Sequence, residues 1–94
     1  MIIFTFDSTH LAIAAENICS EIKGARLVPL PPKISAGCGL SLKAENADKD
    51  KVENLLNTSH INFNAIYEAL DCGEYKKLWF MQITAQHQSI SLNV

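Results

Sequence analysis

The apolar residues of this chain change their spacing from one segment to the next, and the spacing predicts the elements. "IIFTF", residues 2–6, is β-branched or aromatic throughout. So short an apolar run, closed by polar residues, predicts a strand buried on both faces and central in its sheet. "DST" then supplies a helix start with Ser8 or Thr9 as N-cap. Leu11, Ala14, Ala15, Ile18 and Ile22 recur at helical spacing as far as Gly24. Ile13 falls on the opposite side of that helix and fits only if that side is covered too. "ARLVPL", residues 25–30, predicts a second strand, which Pro29 confines to an edge because proline has no N–H for a ladder.

"PPK" breaks regular structure, and from Leu40 the pattern alternates. Leu40, Leu42 and Ala44 point inward and Ser41 and Lys43 outward, predicting a third strand with one wet face. The charged segment 43–53 carries a stripe of Val52, Leu55 and Leu56 and reads as a solvated amphipathic helix running to Asn57. "FNAIYEAL", residues 63–70, predicts a fourth strand. The order β-α-β-β-α-β defines an α+β, ferredoxin-like fold, a four-stranded antiparallel sheet with two helices on one face. From Glu74 the pattern fits a helix face and a strand equally. Residues 1–72 are therefore taken as the domain and 73–94 as an extension that packs on it or on a neighbouring subunit, with the end, "QSISLNV", loose.

Composition narrows the function classes. The chain has 94 residues, 48% apolar and 19% charged, with a net charge of −2, which fits one domain and offers no basic surface for nucleic acid. No stretch approaches the length of apolar sequence that spans a bilayer, and "MIIFTFDSTH" has neither a basic leader nor a signal-peptide core. The expectation is a cytoplasmic protein without nucleic-acid or membrane partners. Three cysteines, at 19, 38 and 72, with no CxxC pair argue against a disulfide framework and a zinc site alike. Neither a metal nor a cofactor is expected.

Topology sorts the candidate residues by sheet end. In the predicted fold the first strand lies between the third and fourth. Its C-terminal end, the start of the first helix, loop 31–39 and the segment before strand four then share one end. Asp7, Ser8, Thr9, His10, Cys38 and His60 collect there, and Cys72 falls at the other end, which argues against a Cys38–Cys72 bridge. A thiolate at Cys38 faces a helix N-terminus, where unpaired N–H groups favour an anion. Gly37 and Gly39 leave the sulfur unshielded and free the backbone around it. His10 is placed to shuttle its proton. The competing reading makes Cys38 a packed loop residue, since free cysteine is among the most buried types. Cys19, beside Ile18 and Ile22, reads as core, and Cys72 as an exposed turn residue.

"FDSTHLAIAAENI" followed by "RLVPLPPKISAGCGLSLK" resembles the small family described as putative Se/S carrier protein-like. The matching positions are Ser8, Thr9 and His10, then Pro31 or Pro32, Ile34, Ser35, Cys38 and Gly39. The resemblance covers residues 2 to about 70 and implies a role in carrying sulfur or selenium on Cys38 between donor and acceptor proteins. The expected site is thus Cys38 as carrier thiol and His10 as proton shuttle, with Ser8, Thr9, Gly37 and Gly39 as the anion-binding surround. Such a protein is a thiol-based carrier rather than an enzyme. The alternative of a different class is a non-catalytic ferredoxin-like interaction or oligomerisation module with a structural Cys38.

Overall fold

The computed structural model describes residues 1–35 and 37–79. Its elements are β1 (Ile2–Thr5), α1 (Thr9–Ile18), β2 (Arg26–Pro29), β3 (Leu40–Ala44), α2 (Lys49–Thr58), β4 (Ala65–Ala69) and β5 (Tyr75–Trp79), with a 3₁₀ turn at Asn46–Asp48 leading into α2. The strands form one sheet in the order β2-β3-β1-β4-β5, and every neighbouring pair is antiparallel. The first four strands and two helices have the ferredoxin-like order. The expected four-stranded sheet has five strands among the described residues, because β5 pairs Ala69 with Tyr75 and Glu68 with Lys76. Within "LWFMQIT", the structure resolves the helix-or-strand ambiguity only as far as Trp79. The C-terminal "QSISLNV" lies outside the described residues.

β1 is central and buried over its whole length. Ile2, Phe4 and Phe6 join Leu42, Val52, Leu56 and Ile66 in the core between sheet and helices. Phe4 meets Phe63 edge-on, with ring centroids 5.4 Å apart. Each large side chain so buried contributes about 1.5–3 kcal/mol relative to exposure.

α1 starts where Ser8 Oγ accepts the Leu11 N–H at 3.3 Å, so Ser8 and not Thr9 is the cap. It ends at Ile18, short of the expected Gly24. A turn in which Ile22 N–H donates to the Cys19 carbonyl folds Ile22 back into the core, which is why the apolar spacing outlasts the helix. Gly24 closes that turn at φ +93, a left-handed conformation natural to glycine. Ile18, expected inward, is 40% exposed, and Ile13 is 47% exposed.

The helix-free face departs from expectation as well. Ser41 was expected in water but is fully buried, and so are Ile3 and Thr5. Ile34 is buried too, yet stands apart from the core beneath the helices. Lys33 Nζ donates to the Gly73 carbonyl at 3.2 Å and pairs with Glu74 at 3.0 Å. These contacts join the β2–β3 loop to the β4–β5 turn, although the two lie at opposite corners of the sheet. A register shift between Ile66 and Tyr67 accompanies this, as bulges increase local twist. Ser41 remains satisfied through its bond to the Val28 carbonyl at 3.4 Å.

Candidate functional site

Asp7 leaves β1 and turns the chain into α1, and the rest of the site is built on it. A Cβ on Gly37 would lie 2.8 Å from the Asp7 carbonyl oxygen and 3.2 Å from its Cα. The loop therefore rests backbone on backbone, and glycine is required for space. Neither Gly37 nor Gly39 has a positive φ, so the expectation of unusual dihedrals there gives way to close approach at Gly37. At Gly39 an added Cβ would have no neighbour within 4 Å among the described residues, which leaves that side of the loop open to them.

Between them Cys38 is half-buried, packed against the core on the helix side of the sheet. Its thiol donates to the Leu40 carbonyl at 3.4 Å. His10, in the first turn of α1, and Thr9 are exposed, and among the described residues no hydrogen bond joins His10 to the sulfur. The Ser8 hydroxyl is committed to Leu11, and the Ala12 N–H to the Ser8 carbonyl at 3.2 Å. Thr9 and His10 thus hold the N–H groups left at the helix end.

The Asp7 carboxylate accepts from Asn64 Nδ2 at 2.7 Å, and the Asn64 N–H donates to the Thr5 carbonyl at 2.7 Å. Asn64 carries no sequence signal of its own, since its partner lies 57 residues away. His60 is exposed at φ 60. It donates to the Asn57 carbonyl while Ile61 donates to that of Leu56, the paired bonds that close a helix through a left-handed residue. Its position thus has a structural cause. Of the other cysteines, Cys19 is fully buried, and burial pushes its thiol above its ordinary value. Cys72 is exposed in the β4–β5 turn, and all three are free. Among the described residues no cluster of His, Cys, Asp and Glu converges to hold a metal, and no helix is long and apolar enough to cross a membrane.

An α+β domain with a glycine-flanked cysteine at the open end of its sheet is therefore the frame. The chain matches the family described as "Putative Se/S carrier protein-like" over residues 1–68, and it belongs to that family. The match includes Cys38 and its loop and ends within β4, so β5 lies beyond it. No curated protein and no solved structure matches the chain.

Proposed function

We propose that this protein carries sulfur or selenium on Cys38, receiving the atom from a donor protein and yielding it to an acceptor. The observation that carries the reading is a half-buried cysteine between two exposed glycines, at the sheet end where α1 begins, in a chain of this family. In the first step the Cys38 thiolate attacks the outer sulfur of a donor persulfide, R–S–SH. The Sγ–S bond forms, the donor S–S bond breaks, and R–S⁻ leaves with the electron pair. In the second, an acceptor thiolate attacks that outer sulfur and Cys38 leaves as thiolate, so no external oxidant or reductant is consumed. Selenium in place of the outer sulfur follows the same course.

The thiol proton passes to water or to the His10 imidazole. The Thr9 and His10 N–H groups, with Ser8 fixing the cap, are the donors left at this end of the helix. Ionisation also removes the thiol's bond to Leu40, which frees the sulfur toward the open Gly39 side. The protein acts as a carrier, not as an enzyme, in a reducing cytoplasmic setting where thiols stay free.

Incubation with a persulfide donor followed by intact mass tests this. In a Cys72→Ser background, which removes the exposed turn thiol, the otherwise wild-type chain and Cys19→Ser are expected to gain one sulfur, and Cys38→Ser none. Loading of Cys38→Ser equal to wild type would sink the reading. The hydrogen bond to Leu40 and the packing of Cys38 favour the second reading, an interaction or oligomerisation module with a structural thiol. It predicts unchanged partner binding and assembly in Cys38→Ser.

A further inference from the structure

We infer that Asn64 is a positioning residue for Cys38, acting through the Asp7 backbone on which the cysteine loop is seated. Three contacts form the chain of cause. Asn64 is tied to β1 by its N–H bond to Thr5, and its side-chain amide grips the Asp7 carboxylate. Asp7 in turn presents its carbonyl and Cα to Gly37, at a separation that admits no side chain. Cys38 is the next residue, so the place of its sulfur follows from the height and tilt of that seat. Gly37 cannot adjust by itself, because what it touches is backbone rather than the flexible end of a side chain.

Asn64 has a second consequence for the site. Its amide also holds the Asp7 carboxylate, so that this charge has a defined direction. Loss of the amide is thus expected to release that charge as well as to alter the exposure of the thiol.

The inference deepens the carrier reading and rests on it for biological meaning, but its test does not use loading. Iodoacetamide alkylation of Cys38 is followed by peptide mass in a Cys72→Ser background across pH 7 to about 9, with protection of buried Cys19 reporting that the fold is intact. Asn64→Ala and Gly37→Ala are each expected to change the Cys38 rate by about fivefold, the size of one lost hydrogen bond, with Cys19 still protected. The two together should change it little further, since both act on one seat.

Asp7→Asn keeps an acceptor for Asn64 and is expected to hold the loop as in wild type. Asn64→Asp sets two carboxylates against each other, and adding Asp7→Asn restores an amide–carboxylate pair with the direction reversed. Recovery of the wild-type rate and pH profile in that exchanged pair supports the inference. Unchanged rates in Asn64→Ala, or no recovery in the exchanged pair, overturn it. If the rates respond as stated but a persulfide donor fails to load Cys38, the carrier reading falls and the positioning role stands.

Discussion

The Glu16 carboxylate, on the inner side of α1, accepts the backbone N–H of Leu27 in β2 at 3.1 Å. β2 is an edge strand, and an edge presents unpaired N–H and C=O groups to any passing chain. Glu16 occupies one of those donors and Pro29 removes another, so a helix side chain and a proline together close this side of the sheet. Glu16→Ala is expected to cost about 1 kcal/mol in urea unfolding and to increase concentration-dependent light scattering. Glu16→Gln retains an acceptor and should lose less on both counts.

His60 holds a backbone conformation that costs a residue with a Cβ about 1 kcal/mol. His60→Gly relieves it but makes the unfolded chain freer, so the net gain expected in thermal or urea unfolding is about 0.5 kcal/mol. The alkylation rate of Cys38 should not change, because the position of His60 is explained by the end of α2. A drop in that rate would return His60 to the site.

Cys19 gives a pH dependence with a definite sign. Burial raises its folded value above the ordinary 9.0, so near and above that pH the unfolded chain loses the thiol proton while the folded chain keeps it. Its contribution is fully present below about 9 and is lost as pH rises toward the folded value. Cys19→Ala should cost about 1–2 kcal/mol at neutral pH through lost packing. The gap between wild type and variant should narrow in urea titrations above pH 9, the window fixed by that ordinary value. A gap independent of pH would contradict the assignment.

On the helix-free face, the two neighbours Lys33 and Ile34 should behave oppositely. The Lys33–Glu74 pair is 56% and 65% exposed, and such pairs contribute about 0–1 kcal/mol. Lys33→Ala is therefore expected to leave the urea midpoint nearly unchanged. Ile34→Ala removes buried apolar surface and should cost about 2 kcal/mol.

These contrasts mark what was legible in the sequence. The run at Ile2–Thr5, Ala15 and Cys19 on the inner face of α1, and the stripe of Val52 and Leu56 are local patterns, and a core that buries one stripe per helix writes them plainly. Ser41 read as wet because strand alternation does not record that β3 is buried on both faces there, Ser41 on one and Leu42 on the other. Ile18 read as inward because periodicity does not record where a helix gives way to a turn. β5 was ambiguous since Tyr75, Leu78 and Trp79 satisfy both periods. At the site, Cys38 stood out through its two glycines, whereas Asn64 could be found only by folding the chain until it met Asp7.

The central position of β1 bears on how the chain is made. Residues 2–5 are synthesised before both of their ladder partners, Leu40–Ala44 and Ala65–Ala69. This apolar strand therefore has no native place in the sheet until β4 has been made. Until then it is a natural target for chaperones that hold extended apolar peptides.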